Sequence, residues 1–142
     1  MTHILLPFDG SNHARKAVDY LLARVQGGRP MKVTLLNVQE LPYMHGDETV
    51  VSMTDSIGRN LIEAGKRLLT GPAEKFKAAG ADVAVVVRSD DPGRAIAEQA
   101  AATGCDEIVM GTRGLGRISE MVLGSVAYKT VHLVKVPVTL VK

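Results

Sequence analysis

Aromatic residues are scarce in this 142-residue chain, which contains no Trp, two Phe and three Tyr. A core must therefore be built mainly from aliphatic side chains and alanine, which dominate the 46% of residues that are hydrophobic. Such a composition is typical of parallel strands that are buried beneath helices on both faces of a sheet. The length suits one substantial core, so we expect a single domain spanning residues 1–142.

Cysteine, long apolar runs and clusters of like charge are also scarce. Cys105 is the only cysteine, which excludes an internal disulfide and predicts a buried thiol in a reducing compartment. No stretch approaches the roughly 20 apolar residues that span a bilayer, and the first residues do not resemble a signal peptide. The 17 basic and 15 acidic residues are interspersed, which argues against a nucleic-acid partner. We expect a cytoplasmic protein that binds neither membranes nor nucleic acids.

Hydrophobic periodicity predicts five strands that alternate with helices. Ser11 and Asp91 are good helix N-caps, while Gly27 and Gly104 predict the ends of the same two helices. The predicted strands are Ile4–Phe8, Lys32–Val38, Asp82–Val87, Glu107–Met110 and Val136–Val141. This alternation predicts an α/β fold with an open parallel sheet and right-handed crossovers. Ligands of such sheets bind beyond the C-terminal strand ends, where the strand order reverses.

Two segments between the second and third strands allow more than one structure. The polar residues from Gln39 to about Ser52 predict a long loop that lies over a site. A helix from about Thr54 contains Gly71-Pro72. Proline removes a backbone hydrogen bond and clashes with the preceding turn, so this pair predicts either a kink or a break.

The most informative stretch joins the fourth strand to the last helix, which is predicted from Ser125 to about Leu133. It reads GTRGLGRISEMVLGS from Gly111 to Ser125. Glycine lets N–H groups approach an anion, and a helix N-terminus adds unpaired donors and the positive end of a dipole. Arg113 adds a positive charge, and Ser125 can cap the helix or donate its hydroxyl to a phosphate oxygen. The stretch therefore predicts a phosphate-binding loop.

Two familiar phosphate loops do not fit this stretch. A Walker A loop needs Lys directly after its second glycine, whereas Arg117 follows Gly116 and Ser125 follows Gly124. The dinucleotide-binding fingerprint needs a glycine where Ser119 stands, and it belongs after the first strand. A different phosphate-binding motif is therefore required.

The spacing that fits is Gly-x2-Gly-x9-Gly-Ser, at Gly111, Gly114, Gly124 and Ser125. It resembles the nucleotide-binding signature of the universal stress protein (UspA) family, in the branch that binds ATP. The rest of the chain, from Met1 to Lys142, can be laid onto the same plan. The resemblance implies the strand order 3-2-1-4-5 of the adenine nucleotide alpha hydrolase-like fold. It also implies a homodimer in which the last strand, Val136 to Val141, pairs antiparallel with its copy. An unpaired apolar edge strand is a template for pairing with another strand, so this edge also favours a dimer.

Ten residues match positions that the family uses to contact the nucleotide. Pro7, Asp9 and Val38 would line the adenine and ribose, while Met110, Gly111, Arg113, Gly114, Gly124, Ser125 and Val126 would hold the ribose and phosphates. Asp9 also has an ordinary alternative, which is to cap the turn that follows it. Val38 likewise has an ordinary alternative role, as a valine of the hydrophobic core. The sequence has no recognised metal-ligand spacing, so Mg²⁺ or Mn²⁺ accompanying a triphosphate would be held chiefly by phosphate oxygens and waters.

Few features of the sequence indicate catalysis. It contains no Gly-x-Ser-x-Gly elbow, no Cys/His pairing and no acidic strand end that would support phosphates. We therefore assign no catalytic residue and interpret the chain as a small stress-response protein with ATP as a regulatory ligand. Two alternatives stay open, namely a dimeric interaction module that needs no nucleotide and a slow ATP-hydrolysing enzyme. A response-regulator receiver is disfavoured, because it would leave the glycine loop without a role.

Overall fold

The computed structural model describes residues 1–40, 48–115 and 123–142, with the main chain alone for residues 48–55. Strands and helices alternate along these residues, as the hydrophobic pattern predicts. In chain order the elements are β1 (Thr2–Pro7), α1 (Asn12–Gln26), β2 (Met31–Gln39), α2 (Glu48–Ala78), β3 (Asp82–Ser89), α3 (Pro92–Thr103), β4 (Glu107–Gly111), α4 (Ser125–Leu133) and β5 (Val138–Val141).

The five strands form one parallel sheet in the order β3-β2-β1-β4-β5. This order confirms the one implied by the family resemblance. β1 pairs with β2 along its whole length, but it pairs with β4 only where Ile4 faces Glu107 and Leu5 faces Ile108. The two central strands therefore diverge towards their carboxyl ends, at the point where the strand order reverses.

Helices cover both faces of the sheet, as predicted. Because side chains alternate along a strand, Ile4 and Leu6 of β1 enter one core cluster and Leu5 enters the other. The first cluster lies under α1 and α2, and the second under α3 and α4. The predicted buried thiol of Cys105 belongs to the second cluster, where burial raises its pKa. None of the described helices is both long and apolar enough to cross a membrane.

Helix α2 passes through the position where a kink or break was predicted. It runs as one 31-residue helix with Pro72 inside it, so Gly71-Pro72 does not end the helix. Buried residues lie on both sides of the proline, with Leu69 before it and Ala73 and Phe76 after it. Their packing on the sheet offsets the local cost of one missing backbone hydrogen bond.

Several other predicted boundaries differ from those observed. Both ends of the loop predicted from Gln39 to Ser52 lie in regular elements, because Gln39 still belongs to β2 and Glu48 already belongs to α2. Residues 41–47 of that prediction lie outside the described residues. The last strand begins at Val138 instead of Val136. Pro137 precedes it and has no N–H to donate, although its carbonyl accepts a hydrogen bond from the amide of Ile108 at 2.9 Å.

An ion pair with two hydrogen bonds ties α1 to the start of β4. Arg24 Nη1 and Nη2 donate to Glu107 Oε1 and Oε2, each at 3.0 Å, and the Thr139 hydroxyl donates to Oε1 as well. Burial acts to raise the pKa of Glu107, but the hydrogen bonds from Arg24 and Thr139 outweigh it, so this pKa lies below its ordinary value of 4.5. Glu107 is therefore charged in the folded protein at neutral pH.

This lowered pKa predicts a pH-dependent loss of stability. The Glu107 carboxylate stabilises the fold above its ordinary pKa, and the contribution disappears as the pH falls through the folded value. Glu107→Gln should lower the free energy of unfolding by about 1–3 kcal/mol at pH 7, and the difference should shrink towards pH 3. Urea unfolding at both pH values measures it. Glu63→Gln, on the exposed pair with Lys66, is the control, and a deficit in Glu107→Gln that does not change with pH would contradict the prediction.

Candidate functional site

A cavity of about 660 Å³ opens at the carboxyl ends of β1 and β4, where these strands diverge. Its walls come from the turn after β1, the end of β2, the first turns of α3 and α4, and the glycine loop after β4. All ten residues named as candidates from the sequence line it: Pro7, Asp9, Val38, Met110, Gly111, Arg113, Gly114, Gly124, Ser125 and Val126. The middle of the glycine loop, residues 116–122, lies outside the described residues.

Asp9 faces the glycine loop from the end of β1. Its Oδ1 accepts a hydrogen bond from the Ser11 amide at 2.9 Å, so the carboxylate holds its own turn. Gly10 has a φ of +81° in this turn, a conformation that glycine adopts without strain. The other oxygen, Oδ2, lies 2.7 Å from the position that a Cβ on Gly114 would occupy. The turn role and a ligand-facing role of Asp9 are therefore compatible.

Gly111 ends β4 against the first turn of α1. A Cβ on Gly111 would lie 2.7 Å from the carbonyl carbon of His13 and 2.8 Å from its Cβ. Real Cβ atoms do not approach that closely, and the nearest contact is main chain that cannot move aside. The packing of α1 on β4 thus requires glycine here, whether or not a ligand is bound.

Gly124 closes the glycine loop on itself. Its amide donates to the carbonyl of Thr112 at 2.7 Å, and a Cβ on it would lie 3.3 Å from both that oxygen and Arg113 Cα. Gly124, the last glycine of the motif, therefore contacts Thr112 near the start of the motif. This contact brings the start of α4 beside the end of β4, on the wall of the cavity.

Helix α4 begins at the cavity without a side-chain cap. Gly124 is the N-cap residue and makes no side-chain hydrogen bond, so the prediction that Ser125 could cap the helix is wrong, because Ser125 is already the first helical residue. The first turn, with Ser125, Val126 and Ala127, lines the cavity. Amides of a first turn lack intrahelical acceptors and carry the positive end of the helix dipole. With Arg113 nearby, this end of the cavity suits an anion.

The lining on the β2 side contains several apolar side chains that the sequence analysis missed. Pro92 and Ile96 of α3 join Val38 there. Val38 also packs against the second core cluster, so a core role and a ligand-facing role are compatible. Nothing in the local sequence marks Ile96, which reaches the cavity because α3 packs near β2. Pro92 is the first residue of α3, directly after the predicted N-cap Asp91, and the sheet order places that helix start at the same edge as the glycine loop.

Helices α3 and α4 are fastened to each other beside the cavity. Lys129 Nζ donates to Asp91 Oδ2 at 2.7 Å, and the same oxygen accepts the Arg94 amide at 3.0 Å as the N-cap of α3. The hydrogen bond from Lys129, followed by that from the Arg94 amide, lowers the pKa of Asp91. Gly93 allows the Lys129 side chain to cross α3, because a Cβ on Gly93 would lie 2.8 Å from it. The predicted Asp91 N-cap is confirmed.

The part of the chain that the structure describes contains no preformed metal site. Among those residues, no group of three His, Cys, Asp or Glu side chains is arranged to hold a metal ion. Asp9 and Glu40 are the carboxylates on the described wall of the cavity.

Comparison with known proteins yields one family. The sequence matches the family described as "Universal stress protein family" over residues 1–142. A protein of Thermus aquaticus, named universal stress protein in QAH/OAS sulfhydrylase 3'region, is 33% identical over 145 residues, covering 98% of this chain and 97% of the relative. The solved structure of hypothetical protein MJ0577 is 26% identical, with a TM-score of 0.89 over 99% of this chain and 95% of that one.

Two other similar structures were solved with nucleotides. A universal stress protein in complex with cAMP is 22% identical, with a TM-score of 0.70 over 99% of this chain and 97% of that one. An Arabidopsis thaliana protein of the same family, with AMP bound, is 21% identical, with a TM-score of 0.70 over 100% of this chain and 92% of that one. At these identities the likeness to this chain is one of fold.

The steric environments of the motif glycines predict different costs for the same substitution. Gly111→Ala should lower the free energy of unfolding by about 1–3 kcal/mol, because the new methyl overlaps fixed main chain of α1. Gly124→Ala should cost less, since a shift of a few tenths of an ångström relieves its 3.3 Å contacts. Gly58→Ala, in open space on α2, should be neutral or stabilising. Urea unfolding of the three variants tests this ranking, and a smaller loss for Gly111→Ala than for Gly124→Ala would reverse it.

Proposed function

Because the chain belongs to the universal stress protein family, we propose that it binds an adenine nucleotide, principally ATP, as a regulatory ligand in a stress response. The observation that carries the proposal is the convergence of Asp9, the motif glycines and the uncapped start of α4 on one cavity. The AMP and cAMP complexes of structurally similar proteins support the ligand class. The cavity volume falls within the range of small-molecule sites.

The phosphates are assigned to the α4 end of the cavity. There the first-turn amides of α4 supply donors, Arg113 supplies a charge, and Gly114 and Gly124 leave space for oxygens to approach the main chain. Recognition through main-chain amides requires few charged side chains. This agrees with a sequence that carries no basic cluster.

The ribose is assigned to the middle of the cavity, between Asp9 and Gly114, and the base to the apolar end. Asp9 Oδ2, directed at Gly114, can accept a hydrogen bond from a ribose hydroxyl. Val38, Pro92 and Ile96 offer apolar surface to a planar base. A divalent cation, Mg²⁺ or Mn²⁺, would be held chiefly by phosphate oxygens and water.

The first experiment is to identify what the purified protein carries. With three Tyr and no Trp, the protein absorbs weakly in the ultraviolet, so a co-purified nucleotide is conspicuous and can be released and identified by mass. We expect ATP. ADP in its place, with steady-state turnover of added Mg-ATP, would favour the slow enzyme. An empty protein that also fails to bind added Mg-ATP would favour the interaction module.

Substitutions in the glycine loop test the location of the site. Gly114→Val and Gly124→Val should each weaken ATP binding at least a hundredfold, about 3 kcal/mol, because their side chains fill the space next to the proposed phosphates. Titration calorimetry measures the loss, and circular dichroism checks that each variant is folded. Gly58→Val is the matched control, since no described atom outside its own helix lies within 4 Å of its Cβ position. Undiminished affinity in a folded Gly114→Val variant would refute this site.

We further propose that two copies pair through β5. This strand is an edge of the sheet, and an unprotected edge is a template for another strand. Helix α4, which precedes it in the chain, has exposed apolar side chains at Val131 and Leu133. The Pro137 and Val141 carbonyls accept hydrogen bonds from the β4 side. Because alternate residues of a parallel strand bond to the same neighbour, the Leu140 amide should face the open edge.

The dimer proposal predicts a particle of twice the 15.2 kDa chain mass in sedimentation velocity. Leu140→Pro removes an outward amide without removing a bond to β4, so it should shift the protein to the monomer. Leu140→Ala, which shortens the same side chain and keeps the amide, should stay dimeric. A wild-type protein that sediments as a monomer at micromolar concentration would rule out the pairing.

A further inference from the structure

Asn37 is a buried polar side chain near the end of β2, with 2% of its surface exposed. Its Nδ2 donates to the carbonyl oxygen of Phe8 at 2.8 Å, and its Oδ1 accepts from Gln39 Nε2 at 2.7 Å. Both ends of the amide are therefore engaged within the protein. Because a buried polar group without partners is costly, these bonds hold Asn37 in one orientation.

Helix α2 packs over the Asn37 side chain. A Cβ on Gly65 would lie 2.7 Å from Asn37 Oδ1 and 2.5 Å from Val87 Cγ1. Glycine in the middle of a helix costs about 1 kcal/mol relative to alanine, so its presence here has a steric reason. Gly65 lets α2 lie close enough to β2 to confine the Asn37 amide.

The Phe8 carbonyl that Asn37 holds lies immediately before Asp9. β1 has ended at Pro7, and its ladder with β4 ends earlier, at Leu5. The Phe8 amide still donates to the Leu36 carbonyl at 2.8 Å. Asn37 supplies the second bond, so both main-chain polar groups of Phe8 are attached to β2. The Asn37 side chain thus extends the pairing of β1 with β2 by one residue beyond the regular ladder.

We propose that Asn37 is a positioning residue of the nucleotide site, which fixes the Phe8–Asp9 peptide and so directs the Asp9 carboxylate at Gly114. Gly65 confines Asn37 and makes this direction depend on the packing of α2 against β2. The inference rests on the proposed function. Asn37 lines the cavity, but its hydrogen bonds go to Phe8 and Gln39, so we assign its effect on the ligand to the direction of Asp9.

The affinity experiment uses two variants on different elements. Asn37→Ser, too short to reach Phe8, and Gly65→Ala, which displaces Asn37 Oδ1, should each weaken Mg-ATP binding about tenfold, as expected for one lost hydrogen bond. Gly58→Ala, the same change in open space on the same helix, should bind as wild type does. Asn37→Ser should cause no further loss in an Asp9→Ala background, because its effect passes through Asp9. Losses that add in the double variant would overturn the proposal.

A second readout needs no ligand. The Ser11 amide is bonded to Asp9 Oδ1, so its hydrogen exchange reports whether the carboxylate is held in place. Asn37→Ser and Gly65→Ala should raise that exchange rate about tenfold, and Gly58→Ala should not. Unchanged Ser11 exchange would overturn the proposal even if the affinity fell. If wild-type protein bound no nucleotide, the proposed function would fail by itself, and Ser11 exchange would still decide the role of Asn37.

Discussion

The close contact between Gly111 and His13 is the constraint from which the candidate site follows. β1 and β4 pair only near their amino ends, so the sheet opens towards its carboxyl edge. The gap stays narrow because the end of β4 is packed against the first turn of α1. At the other end of the same two elements, Arg24 and Glu107 hold them together. The cavity is thus a gap between β1 and β4, and α1 holds β4 in place at both of its ends.

The α4 end of the cavity offers main-chain groups to a ligand, and this explains its dependence on glycine. The uncapped first turn of α4 presents its own amides, and Gly124 returns the loop to Thr112 through a main-chain hydrogen bond. A site of this kind selects its ligand through the positions of main-chain groups more than through side-chain charge. Its accuracy therefore depends on contacts that hold this backbone in place, among them the hydrogen bond from Asn37 to Phe8 and the ion pair between Lys129 and Asp91.

The sequence predicts local structure better than it predicts long-range packing. The caps at Ser11 and Asp91 and the helix end at Gly104 were all foreseen, because each rests on hydrogen bonds between near neighbours. The strand order came from the family resemblance, since no local pattern determines which strands pair. The continuity of α2 through Pro72 depends on burial against the sheet. Ile96 and Asn37 reach the site through tertiary packing alone, so no motif could have marked them.

The motif glycines do not carry equal information about function. Gly111 is required by the packing of α1, so a relative that had lost its ligand would still need glycine there. Gly124 is partly explained by the closure of its own loop. Gly114 is different, because among the described residues only the Asp9 side chain lies within 4 Å of its Cβ position, and that side chain could turn away from a new methyl group. Folding alone therefore does not account for Gly114. The proposed ligand, which needs Asp9 in its present direction, would account for it, and this makes Gly114 the motif position that bears most directly on the proposal.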